Sequence, residues 1–157
     1  MYIFSTFVQN MQSETEDIEL KAAHVDCPKK LYDTISSFPN KSGGGIIIFG
    51  VDERRDFEVV GVYDVNDLQK KVVQQCNLMI PKIRPIFTVL EIMKGKFVVS
   101  AEISEIPKEE KPCYYSGVGI QKGSYIGVGD ADEPMSDYEV YNYQSYINYN
   151  IDTIESS

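Results

Sequence analysis

Three carboxylates and one lysine are the residues of this sequence whose types and spacing could support chemistry. Glu14 and Glu19 flank the start of a short predicted strand that also contains Lys21, and Asp52 ends a second, apolar strand. If the two strands are neighbours in one sheet, these side chains converge at its rim, where they could bind Mg²⁺ or Mn²⁺ and activate water for phosphodiester cleavage. The spacing is also typical of solvated or structural carboxylates, so both interpretations stay open.

Other catalytic chemistries have few residues to draw on. The sequence has one histidine, His24, so a zinc cage, a Ser/His/Asp triad and a Cys/His pair would all depend on that residue. The three cysteines, Cys27, Cys76 and Cys113, are odd in number and widely spaced, unlike a disulfide framework or a zinc site. We expect them to be reduced and partly buried, and we expect no cofactor other than a metal held by carboxylates.

A glycine-rich loop precedes the apolar strand and suggests an anion site. It is not a nucleotide-binding P-loop, because a strand rather than a helix follows Gly43, Gly44 and Gly45. We predict a positive φ at Gly43 or Gly44, with the loop amides, Ser42 and the Asn40 side chain facing the same rim as Asp52 and accepting an anion there. The alternative is a tight turn without a ligand.

The elements that position these residues follow from hydrophobic periodicity and from helix and turn signals. The fold predicted is a single α/β (α+β) domain with a mixed, largely antiparallel twisted sheet and about three helices. The first half of the chain is predicted to form a strand at 18–22, a helix capped by Asp26 with Pro28 near its first turn and Pro39 and Asn40 at its end, a buried central strand at 46–51 and its hairpin partner at 57–62. A second helix, capped by Asp64 or Asn66, ends before Pro81. A hairpin at 86–92 and 97–103, one or two short strands within 114–128 and a last helix opened by a capping box at Ser136 complete the predicted elements.

Length, composition and charge limit the classes of protein. A chain of 157 residues that is 43% hydrophobic and 25% charged has the length and composition of one globular domain. The sequence has no apolar stretch long enough to cross a membrane and no signal-peptide pattern, so we expect a cytoplasmic protein without a membrane partner. The net charge is −9, and residues 122–157 hold one lysine against seven carboxylates. That distribution argues against contact between the C-terminal end and nucleic acid.

Five segments taken together resemble the Schlafen-type AlbA-like domain. They are Ile18–Lys21, Ser37–Glu53, Val60–Val62, Lys111–Tyr115 and Lys122–Asp130. The resemblance covers roughly residues 14–140 and divides the chain into an N-terminal extension at 1–13, a domain at 14–150 and an acidic tail at 151–157.

The resemblance implies a twisted-sheet α/β domain of the kind found as a DNA-binding domain at the front of many bacterial transcriptional regulators. In the animal Schlafen branch a similar core cuts structured RNA with two glutamates and an aspartate, and Glu14, Glu19 and Asp52 occupy positions similar to theirs. The chain departs from the family pattern at Gly127, where an arginine is usual, so a phosphate-binding cation is missing there.

Three hypotheses follow. The leading one is a non-catalytic nucleic-acid-binding domain of a transcriptional regulator, with weak and salt-sensitive binding because of the acidic net charge. Its contact residues, if they gather on one face, are Arg54, Arg55, Lys82, Arg84, Lys94, Lys96 and Lys122.

The second hypothesis is an endoribonuclease in which Glu14, Glu19 and Asp52 hold Mg²⁺ or Mn²⁺ and Lys21 lies near the scissile phosphate. The third is a scaffold or homodimerisation module whose interface is formed by Tyr141, Tyr143, Tyr146 and Tyr149.

Overall fold

A four-stranded sheet forms the centre of the molecule. The computed structural model describes residues 17–129 and 131–145. Within them the strand order is β1-β2-β7-β6. These strands are β1 (Ile18–Lys21), β2 (Gly45–Phe49), β6 (Ile86–Met93) and β7 (Lys96–Ile103). β1 runs parallel to β2, whereas the β2–β7 and β6–β7 pairs are antiparallel. The prediction of a mixed, largely antiparallel sheet is therefore confirmed.

The remaining elements pack around this sheet. Helices α1 (Tyr32–Asn40) and α2 (Val65–Asn77) are the longer ones, and α3 (Gly119–Gly123) is a short helix that the sequence analysis did not predict. Residues 137–145 form α4. Two-residue strands make up the pairs β3 (Val51–Asp52) with β4 (Glu58–Val59) and β5 (Met79–Ile80) with β8 (Tyr114–Tyr115), and a longer hairpin joins β9 (Tyr125–Val128) to β10 (Ala131–Pro134).

The central strand β2 is covered on both faces, as its unbroken apolar run predicts. Ile47 and Phe49 pack into the main core with Ile35 of α1 and Val72 of α2. Ile48, on the opposite face, packs into a second cluster with residues of β3, β4 and β7. Because Glu19 pairs with Ile47 in register, its side chain lies on the α1 face of the sheet.

Helix α1 begins later than its sequence pattern indicates. Asp26 does not cap it: the Asp26 carboxylate accepts from the backbone N–H of Cys27 and pairs with Lys71 of α2. The backbone N–H of Leu31 donates to Gln75 Oε1 of α2. In a helix that began earlier, this N–H would donate to a backbone carbonyl of the same helix instead. The predicted apolar positions Leu31, Ile35 and Phe38 are nevertheless all buried.

Capping signals located helices α2 and α4 correctly. The Asp64 carboxylate accepts from the Asp67 backbone N–H at 3.0 Å at the start of α2. Ser136 and Glu139 exchange the reciprocal hydrogen bonds of a capping box before α4, at 3.1 and 3.2 Å. No helix in the described part of the chain has both the length and the apolar character needed to cross a membrane.

Candidate functional site

Glu19 lies in a partly desolvated position beside Lys21. Its Oε1 is 3.3 Å from Lys21 Nζ. Burial raises the pKa of the Glu19 carboxyl, the Lys21 charge opposes that shift, and the nearby carboxylates of Asp132 and Asp33 add to it. A half-buried acid with a raised pKa is a common feature of functional sites.

Asp52 has a different environment from Glu19. Its Oδ1 accepts from the Arg54 backbone N–H at 3.0 Å, capping the short 3₁₀ turn Glu53–Arg55, and its Oδ2 is 3.6 Å from Arg55 Nε. Across residues 17–129 and 131–145, no three His, Cys, Asp or Glu side chains are grouped closely enough to hold a metal ion. Glu14 lies outside the described residues, so the predicted set of three carboxylates stays a prediction.

An acidic cleft opens between β1, α1 and the β9–β10 hairpin. It has a volume of about 500 Å³, and its polar lining includes Asp17, Glu19, Lys41 and Asp132. Lys41 Nζ forms an ion pair with Asp17, and Asp132 Oδ2 accepts from Thr34 Oγ1 at 2.9 Å. Asp17 and Asp132 were not predicted as site residues. Neither belongs to a motif, and the packing of the hairpin on α1 brings Asp132 close.

A tyrosine–lysine patch, comprising Lys30, Tyr32, Tyr115 and Tyr125, adjoins this cleft. The Tyr32 and Tyr115 rings stack with centroids 4.7 Å apart, and the Tyr125 ring lies 6.0 Å from Tyr32. Lys30 Nζ is 5.6 Å from the centroid of the Tyr32 ring. All three tyrosines are partly exposed, and the Asp33 charge acts on both Glu19 and Tyr125. Tyr32 is in α1, far in sequence from Tyr115 and Tyr125, so no local pattern could have indicated the patch.

The glycine loop has the predicted backbone but not the predicted orientation. Gly43 and Gly44 have φ angles of 84° and 68°, which confirms the positive φ. The Gly43 N–H donates to Glu105 Oε1 and the Gly44 N–H to the Lys41 carbonyl, so neither amide is free for an anion. The loop also lies at the start of β2, whereas Asp52 lies beyond the end of β2. The five residues of that strand span about 17 Å. The prediction of a shared rim is therefore wrong.

Asn40 has a structural position rather than one at the surface. Its Nδ2 donates to the carbonyls of Cys113 and Tyr125 at 3.0 and 3.1 Å, and its Oδ1 accepts from the Cys113 N–H at 2.7 Å. The side chain is buried and uses its hydrogen-bonding capacity to join α1 to the strands that follow. Ser42, by contrast, is exposed in the loop.

The predicted basic contact residues do not form one face. Two of the residues, Lys82 and Arg84, precede β6, and two others, Lys94 and Lys96, follow it. The eight residues of β6 span about 25 Å, so the first two residues lie far from the last two. Arg55 lies within 4.0 Å of carboxylates of Asp52 and Glu58. The other two residues of the predicted set are Arg54, in the turn after β3, and Lys122, in α3.

The remaining residues named in the predictions are the three cysteines and the C-terminal tyrosines. Cys27, Cys76 and Cys113 are free and buried, and burial raises their thiol pKa values to about 11, 12 and 12. These thiols are therefore unreactive at neutral pH. Tyr141 is 63% exposed. Tyr146 and Tyr149 lie outside the described residues.

The chain belongs to the Schlafen AlbA_2 family, whose pattern matches residues 14–136. It is similar in fold to the DIP2311 protein of Corynebacterium diphtheriae, with a TM-score of 0.55 and 17% identity over 83% of this chain. It is also similar to the N-terminal domain of a protein related to the ATP-dependent DNA helicase RecG from Nitrosomonas europaea, with a TM-score of 0.53 and 23% identity over 79% of this chain. The matches cover 24% of the first protein and 88% of the second. A comparison with curated proteins gave no significant match.

Proposed function

We propose that this domain binds a single-stranded segment of nucleic acid without cleaving it, as a module of a transcriptional regulator. The observation that supports this function best is the tyrosine–lysine patch, in which partly exposed aromatic rings lie beside a cation. Stacking of a base on an aromatic side chain contributes about 1–3 kcal/mol and needs no particular sequence. Membership of the Schlafen AlbA_2 family and the likeness to a RecG-related domain are consistent with a nucleic-acid-related role.

The charge distribution favours unpaired strands over duplex. A duplex presents a dense row of phosphates to a surface, whereas the cations here are dispersed and the net charge is −9. A single strand can turn its bases toward the tyrosines and leave its phosphates near Lys30. We therefore expect weak binding that salt weakens further, and no measurable binding to random duplex at physiological salt.

Fluorescence anisotropy with labelled 12-nucleotide single strands at low salt tests the proposal. Tyr32→Leu keeps an apolar side chain but removes the aromatic face, so it should weaken binding about tenfold. Tyr63→Leu is the matched control, since Tyr63 is 83% exposed and lies outside the patch. Equal losses in both variants, or no binding of the wild-type chain to any single strand, would reject the proposal.

The metal-dependent endoribonuclease remains the alternative, and the raised pKa of Glu19 in the acidic cleft favours it. The described carboxylates do not form a metal-binding set, so this activity would depend on Glu14 as well as Glu19 and Asp52. Incubating tRNA with the full chain and Mn²⁺ separates the two functions. Cleavage by the wild type that Glu19→Gln abolishes would establish the nuclease and overturn the non-catalytic proposal.

A further inference from the structure

A buried hydroxyl without a partner among the described residues lies next to Gly127, the residue of strand β9 that lines the acidic cleft. Ser37 is fully buried, and its Oγ finds no hydrogen-bond partner among the described residues. A Cβ added to Gly127 would lie 3.6 Å from that oxygen and 3.3 Å from Lys41 Nζ. Gly127 does not have a positive φ, so its backbone does not require glycine. A side chain at position 127 would therefore crowd the Lys41 ammonium and contact the Ser37 hydroxyl, and glycine leaves both donors uncovered.

Carboxylates line the cleft together with Gly127. Asp132 is the register partner of Gly127 in the β9–β10 hairpin, and Glu19 lies close enough for the Asp132 charge to raise its pKa. One oxygen of Asp132 accepts from Thr34, which leaves the other available to a ligand. The cleft thus offers carboxylate acceptors beside an ammonium and a hydroxyl donor.

This combination selects against phosphate and favours a polar, uncharged group. The carboxylates of Asp17, Glu19 and Asp132 would repel a phosphate, whereas they can accept from N–H donors. A group that suits the cleft needs adjacent N–H donors for a carboxylate and carbonyl or ring-nitrogen acceptors for Lys41 and Ser37. Among the nucleobases guanine has both, because N1–H and N2–H₂ are neighbours and O6 and N7 are acceptors. Uracil has a single N–H between two carbonyls.

We propose that the acidic cleft is a recognition site for an unpaired guanine. This inference rests on the proposed nucleic-acid binding and adds the orientation and base preference of the bound strand. One base stacks on the tyrosine–lysine patch, a guanine enters the cleft, and the phosphates lie away from the carboxylates. A cleft of about 500 Å³ is large enough for a base, since pockets for small molecules start near 300 Å³.

Two labelled strands test the preference: a 12-nucleotide oligouridine and the same strand with one central guanosine. The guanosine strand should bind about tenfold more tightly, which is the discrimination that a pair of well-placed hydrogen bonds provides. Glu19→Gln and Gly127→Val should each reduce that ratio to about twofold or less while the oligouridine affinity changes little. Glu102→Gln is the matched control and should leave the ratio unchanged. Its neighbours Ala101 and Ile103 point into the main core, so Glu102 lies on the opposite face of the sheet from Glu19.

The outcomes separate the two proposals. Equal, Tyr32-dependent binding of both strands would overturn the guanine site and leave the proposed function standing. No binding of either strand would overturn the proposed function and the guanine site with it. Titration of guanosine into ¹⁵N-labelled full chain gives a second measurement, because the nucleoside should shift the Gly127 amide and uridine should not. A shift produced by Mg²⁺ but not by guanosine would identify a cation site instead and reject the guanine assignment.

Discussion

Gly43 and Gly44 share a left-handed backbone but differ in what surrounds them. A Cβ at Gly43 would meet nothing within 4 Å, whereas one at Gly44 would overlap the carbonyl oxygen of Ile103 and lie 2.9 Å from the Glu105 backbone nitrogen. Gly43→Ala should therefore lower the free energy of unfolding by about 1 kcal/mol through strain alone. Gly44→Ala combines strain with overlap and should lower it by about 2–4 kcal/mol. Urea denaturation of the two variants measures this difference, and equal losses would contradict it.

The partly buried carboxyl of Glu19 makes the stability of the domain depend on pH. Its pKa in the folded state is raised above the unfolded value, so the folded chain binds this proton more tightly and stability falls as the pH rises through that range. Glu19→Gln removes this cost. The variant should be more stable than the wild type at pH 7, and the difference should shrink as the pH falls toward about 4.

Thermal unfolding at several pH values tests the Glu19 prediction. Loss of the ion pair with Lys21 offsets little of the gain, since both side chains are about one-third exposed. Glu102→Gln provides an exposed control and should show no comparable pH dependence. A Glu19→Gln variant that is less stable than the wild type at pH 7 would show that the Lys21 pair outweighs burial.

Gln75 holds the irregular segment before α1 against α2. Its Oε1 accepts from the Leu31 N–H at 3.0 Å and its Nε2 donates to the Pro28 carbonyl at 2.9 Å. Gln75→Met keeps the length of the side chain but leaves both backbone groups without these partners, so it should lower the free energy of unfolding by about 1–3 kcal/mol. Gln74→Met, at an exposed position on the same helix, should change it by no more than about 0.5 kcal/mol in urea denaturation.

These contacts show which elements could be predicted from the sequence. The apolar run of β2, the hairpin of β6 and β7 and the caps at Asp64 and Ser136 depend on residues close together in the chain, and all four are confirmed. The start of α1 depends on Gln75, which is 44 residues from Leu31, and was predicted wrongly. A local capping signal at Asp26 could not show that its carboxylate pairs with Lys71 instead.

The candidate site was predictable only in its first strand. Glu19 and Lys21 were recognised from their alternation within β1, and the structure places them side by side. Asp132 and Tyr115 reach the site because hairpins and short strands pack on α1, and such long-range contacts leave no periodicity in the sequence. Asp52 ends β3, which Gly50 separates from β2, and its carboxylate caps the next turn; its predicted convergence with Glu19 stays a prediction.

The basic residues predicted to contact nucleic acid are dispersed over the molecule. Lys82 and Arg84 lie at one end of β6, and Lys94 and Lys96 lie at the other. Long-range attraction of a polyanion requires cations grouped on one side, because opposite charges between them cancel the field. The proposed ligand is therefore held by local stacking and hydrogen bonding, and electrostatic steering contributes little.

Strand β6 occupies one edge of the four-stranded sheet within the described residues, and its exposed side chains include Ile86, Val89 and Leu90. In an antiparallel edge strand, alternate residues direct their N–H groups toward the partner strand and the residues between them direct theirs outward. Deuterium uptake measured by NMR should therefore alternate along β6 from Ile86 to Glu91, up to the register shift between Glu91 and Met93, with slow and fast amides in turn. Uniformly slow exchange at millimolar concentration that becomes alternating on dilution would show that two copies pair through this edge, and would make the sheet continuous across a homodimer.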